Sequence, residues 1–341
     1  MSRPMKWSRH QSREDETVSS LVYQNPVWPE YFADPFVLRW RGEYFAYGTG
    51  VALEPDGRGG VGAFKILRSR DLVSWKRAGV ALTVPLTEAA RLFWAPEVAE
   101  HAGKFYLYYS SAPAERDELH RLHVAVADEP TGPFREAGVV LPEGEGFSID
   151  AHPFRDLRDG QWYLYFAKDF FEERTGTGLA VVRLAPDMLR AADASHEVLR
   201  ANADWQIYER DRTLYGRQWS AWHTVEGPCV VAHGGRYYCF YSGGNWQTQD
   251  YGVSYAVADH PLGPWEHAPG SEPLVLRQRP GGLLGPGHNS YTIAPDGRTG
   301  VIVYHAWDLG RTARRMCIDR LVWTENGPRC DGPTITPQVL V

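Results

Sequence analysis

Apolar and polar positions repeat along this 341-residue chain. A glycine is followed by a short aromatic run in Gly42-Glu-Tyr-Phe-Ala-Tyr47, Gly103-Lys-Phe-Tyr-Leu-Tyr-Tyr109, Gly160-Gln-Trp-Tyr-Leu-Tyr165 and Gly235-Arg-Tyr-Tyr-Cys-Phe-Tyr241. A fifth copy, Gly297-Arg-Thr-Gly-Val-Ile-Val-Tyr304, is less aromatic but keeps the turn and the apolar run. The five glycines are spaced by 61, 57, 75 and 62 residues. Each run is too short for a helix and follows a turn residue, so each predicts the second strand of a hairpin. A third strand follows, clearest where His123-Val-Ala-Val-Ala-Asp128 precedes Pro130-Thr-Gly-Pro-Phe134 and Ser254-Tyr-Ala-Val-Ala-Asp259 precedes Pro261-Leu-Gly-Pro-Trp265. Lys65–Asp71, Gly178–Arg183 and Arg315–Trp323 are looser copies. Five small antiparallel sheets at a period of roughly 60 residues predict an all-β, five-bladed β-propeller in a single domain. A β-sandwich would show no such period.

The propeller is expected over residues 21–341, after a polar tail at 1–20. Residues 185–202 carry the only helix-like composition and are expected to form an insertion in the third and longest unit. Residues 21–28 or the C-terminal segment would close the ring.

Composition sharpens this picture in three ways. Aromatic residues make up 13% of the chain beside 34 glycines and 24 prolines, the balance of many short strands and tight turns. Aromatic rings also suit the apolar faces of sugars, although a β-rich core uses the same residues. A net charge of −6 argues against a nucleic-acid partner, which would require a basic stripe. No apolar run approaches the ~20 residues of a membrane span, and the charged amino terminus has no signal-like apolar stretch, so a cytoplasmic location is expected. Four cysteines without a CxxC pair offer neither a disulfide scaffold nor a zinc site.

The chemistry lies just upstream of each turn. In order stand Phe32-Ala-Asp34-Pro, Trp94-Ala-Pro-Glu97, Ser148-Ile-Asp150-Ala-His-Pro, Val225-Glu226-Gly-Pro and Gly287-His288-Asn-Ser. Asp34, Glu97, Asp150, Glu226 and His288 precede their turn glycines by 8, 6, 10, 9 and 9 residues, which places each near the start of an innermost strand. Those starts converge on the central channel of a propeller. Any one Asp-Pro or Glu-Gly-Pro would be an ordinary turn device, and gathered oxygens also suit calcium. Several like charges in a partly enclosed channel favour a catalytic set, because repulsion and desolvation raise carboxyl pKa values.

Together Ala33-Asp34-Pro35, Trp94-Ala-Pro-Glu97, Ile149-Asp150-Ala-His-Pro-Phe154, Glu226-Gly-Pro228 and Gly287-His288-Asn289 resemble the signature of glycoside hydrolase family 43 over about residues 22–330. The resemblance implies a five-bladed propeller that hydrolyses arabinofuranosides and xylosides with inversion. It implies that Asp34 is the general base, Asp150 the carboxylate that tunes and orients the acid, and Glu226 the general acid. His288 matches a histidine that contacts a water-ligated ion, commonly calcium, while the chemistry itself requires no cofactor. Glu97 is expected to be structural, and His152 and Cys229 to pack. Phe32, Trp94 and Trp222 are candidate substrate-binding residues, with Phe93 and Phe147 as further bulky neighbours. The resemblance also implies an inward arginine, either Arg314 or Arg315, and Arg314 is assigned the substrate contact.

The substrate expected from the resemblance is an arabinose- or xylose-containing oligosaccharide. Exo-acting α-L-arabinofuranosidase is preferred over β-D-xylosidase and endo-1,5-α-L-arabinanase. Rival classes are another propeller glycosidase or phosphorylase and a non-catalytic sugar-binding propeller. A retaining enzyme would hold its carboxyls ~5–5.5 Å apart, against ~6.5–9.5 Å for an inverting one.

Overall fold

In the computed structural model, which describes residues 20–50, 53–55, 60–85 and 91–341, all five expected turn glycines hold a left-handed backbone, with φ from 74° to 82°. Nothing crowds the place of a Cβ at Gly42, Gly103, Gly235 or Gly297, so the dihedral and not close packing selects glycine there. At Arg41-Gly42, Ala102-Gly103 and Gly234-Gly235 both central residues have positive φ, the two-residue turn whose twist matches the strands it joins. The expected tail at residues 1–19 lies outside the described residues.

Each turn joins the first two strands of a blade. Blade one comprises Ala33–Trp40, Glu43–Thr49, Val61–Ser69 and Lys76–Val84, and blade two Arg91–His101, Lys104–Pro113, Arg121–Ala127 and Arg135–Val139. Blade three contains Ser148–Arg155, Trp162–Phe170, Gly176–Arg183 and His196–Leu199. Blade four contains Val225–His233, Arg236–Gly243, Gly252–Ala258 and Glu266–His267, and blade five Leu284–Ile293, Gly300–Trp307, Arg314–Thr324 and Gly327–Cys330. The first strands of neighbouring blades touch in ring order, the fifth returning to the first. The protein is a five-bladed β-propeller.

Residues 185–202 do not form the expected helix-like insertion. Met188 turns back at φ 63°, its N–H bonded to the Ala185 carbonyl, and the chain then enters the strand His196–Leu199 on the outside of blade three. The Pro186-Asp187 turn chemistry overrides a weak helical composition. The extra length of the third unit is instead a hairpin, Ile207–Leu214 with Arg217–His223, attached to the blade through the Gly176–His223 pair.

The core is distributed as five hydrophobic clusters, one between each pair of adjacent blades. Strand alternation produces this arrangement: Phe45 and Tyr47 face blade two, while Tyr44 and Ala46 on the same strand face blade five. The repeated Pro-x-Gly-Pro-aromatic phrases have a matching purpose. Tyr47 donates to the Pro130 carbonyl and meets Phe134 edge-on; Tyr165 donates to the Pro261 carbonyl and meets Trp265 edge-on. Each phrase therefore fastens one blade to the tyrosine of the blade before it.

Both chain ends take part in closure. Val22–Tyr23 pairs with Gln338–Val339 as a separate two-stranded ribbon. Asn25 bonds the Ile318 backbone on both sides, and Val27 and Phe32 donate to Met316 and Arg314, so the amino-terminal segment runs along the third strand of blade five.

Candidate active site

A β-bulge interrupts the first strand of every blade at the same place, and that of blade five shifts register a second time between Leu284 and Gly287. The unpaired residues are Asp34-Pro35, Ala95-Pro96, Asp150-Ala151, Gly227-Pro228 and His288-Asn289. The leading residue has positive φ in all five, at 50°, 49°, 59°, 57° and 49°. A bulge with this backbone re-aims a side chain, which brings Asp34, Asp150 and His288 to the channel. Glu226 reaches the same place from one residue before its bulge. Gly227 beside it is held by geometry, since a Cβ there would lie 3.2 Å from the His288 ring. Blade two contributes only Ala95 at this position. Glu97 lies two residues beyond and accepts the Nδ1–H of His152 at 2.7 Å, while His152 Nε2 accepts the Val230 N–H at 2.9 Å. That chain links blades two, three and four, giving Glu97 and His152 structural places.

Asp34 is buried and faces one arginine and two histidines. Arg314 Nη1 lies 3.3 Å from Asp34 Oδ1, His288 Nδ1 3.5 Å and His305 Nδ1 3.2 Å. Burial opposes ionisation, but the Arg314 guanidinium outweighs it and holds the carboxyl well below the usual aspartate range. His305 is kept neutral by burial, its pKa pushed down to about 4. Its Nδ1 accepts the Asp34 backbone N–H at 3.1 Å. Arg314 is steadied by the Tyr31 hydroxyl, at 2.7 Å from Nη2, and by stacking 4.2 Å from the Trp246 ring centre. Arg315 instead pairs with Asp308 at 3.0 Å, so Arg314 is the inward arginine.

The other two carboxyls behave oppositely. Burial raises the Glu226 pKa to about 7, helped by the charge of Asp34 and opposed by a 2.7 Å hydrogen bond from Tyr251 and by Arg314. Asp150 is raised well above its ordinary value by burial, then by Glu226 and Asp34; only the Gly227 N–H, 3.0 Å from Oδ2, visibly opposes this. Ligand atoms of Asp150, Glu226 and His288 lie within 4.8 Å of one another, the one group among the described residues that could hold a metal. Calcium takes six to eight oxygens, whereas this group offers one nitrogen and two carboxyls that burial keeps prone to protonation. The donors suit proton chemistry better than a hard cation.

These groups open into a cavity of about 740 Å³. Trp94, Phe147, Trp222 and Arg314 line it. Trp94 stacks on His120 with ring centres 3.7 Å apart. Phe32 and Phe93 do not line it. Phe32 is fully buried among blades one and five with its ring against Gly48, while its neighbour Tyr31 faces the cavity. Phe93 packs between blades one and two. Sequence reasoning missed Tyr251, His305 and Trp246, along with the cavity-facing residues of the blade-three hairpin. Gly287 was a signal for Tyr251: a Cβ there would lie 2.2 Å from the tyrosine ring.

The comparisons with known proteins agree with this geometry. A sequence model of the glycosyl hydrolases family 43 matches residues 23–328. A β-D-galactofuranosidase of Aspergillus niger is 30% identical over 332 residues, 91% of this chain and 85% of that protein. An extracellular exo-α-(1→5)-L-arabinofuranosidase of Streptomyces chartreusis is 30% identical over 297 residues, 83% of this chain and 82% of that protein. The crystal structure of a thermostable family-43 glycoside hydrolase superposes with a TM-score of 0.79 at 32% identity, covering 93% of this chain and 98% of the other.

Proposed function

The chain belongs to glycosyl hydrolases family 43, and from that membership we propose that this glycosidase releases terminal α-L-arabinofuranose from short oligosaccharides with inversion. Asp34 is the general base: as a carboxylate it takes a proton from water while the water oxygen bonds to the anomeric carbon. Glu226 is the general acid: it gives its proton to the glycosidic oxygen as the bond from that oxygen to the anomeric carbon breaks. Asp150, with oxygens within 4.8 Å of those of Glu226, forms with it a pair whose mutual repulsion retains a proton, and its bond to Gly227 N–H fixes the segment that carries Glu226. Arg314, Trp94 and Trp222 contact the sugar. Any bound ion near His288 acts on structure or field and is not the Lewis acid of the reaction.

The observation that carries this reading is the divergence of two carboxyls on one cavity. Arg314 holds Asp34 ionised, whereas burial holds Glu226 at about 7, so a base and an acid coexist near neutrality. A lectin would have no use for that divergence. Likeness to the Aspergillus enzyme favours β-D-galactofuranoside as a second substrate reading. A panel of para-nitrophenyl α-L-arabinofuranoside, β-D-galactofuranoside and β-D-xylopyranoside tests both, with NMR of the first-formed anomer. Preferred cleavage of the arabinofuranoside with inversion is expected. Retention of configuration, or inertness towards the arabinofuranoside, would overturn the proposal.

A further inference from the structure

The cavity continues outward from the buried carboxyls to a rim that the chemistry above leaves unused. One wall is the blade-three hairpin, which contributes Tyr208, Arg212 and Tyr215. Facing it are Asp117 and Glu118 of a short turn in blade two, and Asp169 at the end of a blade-three strand. Asp34 and Asp150 are buried, whereas Asp117 is exposed and Tyr215 is 42% exposed, so the hairpin borders the mouth and the carboxyls form the floor. A volume of about 740 Å³ lies within the ~300–1,000 Å³ of pockets that enclose whole drug-sized ligands, leaving room beyond one pentose ring.

The rim has a definite chemistry. The Arg212 guanidinium lies between two aromatic faces, 4.8 Å from the Tyr208 ring centre and 5.4 Å from that of Trp222. Tyr215 donates to Asp169 Oδ2 at 2.6 Å. Four carboxyls, of Glu115, Asp117, Glu118 and Asp169, thus line the rim; Glu118 pairs with Arg116 at 2.5 Å and Arg212 with Glu209 at 3.5 Å, so acidic groups remain in excess, and Arg212 is the cation whose field reaches both Asp117 and Asp169. Carboxylates accept hydrogen bonds from sugar hydroxyls and repel a further negative charge, while the aromatic and guanidinium planes offer a stacking face.

We propose that the Ile207–His223 hairpin and the facing Asp117–Leu119 turn form the leaving-group site, and that this site takes an uncharged sugar and disfavours a uronic acid. The proposal rests on the glycosidase reading, in which Glu226 protonates the oxygen of that leaving sugar. Arg212 is its central specificity residue.

The test uses three substrates of the full-length protein: the pentosyl fluoride, the corresponding disaccharide with a neutral leaving sugar, and the same disaccharide with a uronic acid in that place. Fluoride does not reach the hairpin, so its hydrolysis reports the catalytic floor alone. Arg212→Ala is expected to lower kcat/KM for the neutral disaccharide about tenfold more than for the fluoride. The wild type is expected to prefer the neutral disaccharide over the uronate about tenfold or more, and Asp117→Asn with Glu118→Gln to narrow that preference. Equal losses on fluoride and disaccharide in Arg212→Ala, no preference in the wild type, or a preference unmoved by the double replacement would each overturn the proposal. If the wild type hydrolyses no pentosyl fluoride, the glycosidase reading itself fails and the leaving-group site fails with it.

Discussion

The Tyr251 hydroxyl donates to Glu226 Oε1 at 2.7 Å, while the tyrosine ring lies nearly parallel to His305 at a centre separation of 5.8 Å. This bond favours the ionised form of Glu226 and opposes the burial that raises its pKa to about 7. Tyr251→Phe keeps the ring and removes the donor. The Glu226 pKa then rises, and the basic limb of the pH–rate profile is expected to move up by roughly one pH unit. A limb that stays in place or moves down would show that Tyr251 does not set the acid's protonation.

Asp34→Asn and Glu226→Gln should each lower turnover on an unactivated oligosaccharide by about 10²–10⁴-fold, the usual contribution of one general acid or base. The two losses should differ with leaving group. A nitrophenolate needs little protonation, so Glu226→Gln should recover much of its rate on nitrophenyl substrates while Asp34→Asn does not. Circular dichroism on both variants separates this from unfolding. Equal losses on both kinds of substrate would contradict the division of roles.

Asp150→Asn acts in the opposite sense to Tyr251→Phe. Oxygens of Asp150 and Glu226 lie within 4.8 Å, and their mutual repulsion makes the pair retain a proton. Asparagine keeps an acceptor for the Gly227 N–H but carries no charge. Glu226 then ionises at lower pH, so the basic limb should move down and turnover at neutral pH should fall. A profile identical to the wild type would reject Asp150 as the tuning residue.

How much of this site the sequence announced depends on the bulges. Asp34, Asp150 and His288 are bulge-leading residues at equivalent positions, and their regular lead to the turn glycines made them visible. Glu226 sits one residue before its bulge and Glu97 two after the start of its own, so spacing alone treated unlike residues as equivalent. The same one-residue sensitivity holds at Phe32, whose neighbour Tyr31 takes the cavity. Tyr251, His305 and Trp246 come from second strands and connections that no repeated motif marks. The blade-three hairpin was noticed as excess length but placed about twenty residues too early, because alanine-rich composition outweighed the Pro186-Asp187 turn in the reading of 185–202.

Arg314 has a distinct signature in pH dependence. In the wild type Asp34 stays ionised throughout the range in which carboxylates ordinarily titrate, because Arg314 overcomes its burial. Arg314→Gln removes the nearby cation, and the Asp34 pKa rises toward or above ~3.9. Activity should then fall on the acidic side at a higher pH than in the wild type, with KM also raised through loss of the sugar contact. Arg314→Lys, which retains charge without the planar fork, should restore the acidic limb more than the KM. An acidic limb unaffected by Arg314→Gln would show that another group sets it.

The last prediction concerns where along a chain the enzyme cuts. Trp94, braced by its stack on His120, stands with Phe147 and Trp222 around carboxyls buried at the cavity floor. The Ile207–His223 hairpin and the facing Asp117–Leu119 turn border the mouth. A chain entering such a depression presents its end to the floor, since passage through it would require an open groove across the propeller face. Recognition is then expected to concentrate on one terminal sugar, with the next residue near the hairpin. Incubation with linear arabino-oligosaccharides should release monosaccharide from the first time points, the remaining chain shortening by one unit at a time. Truncation of Trp94 to alanine should raise KM for these substrates through loss of a stacking face, with a smaller effect on turnover. Early accumulation of di- and trisaccharides from long chains would instead require an open groove and an endo-acting enzyme.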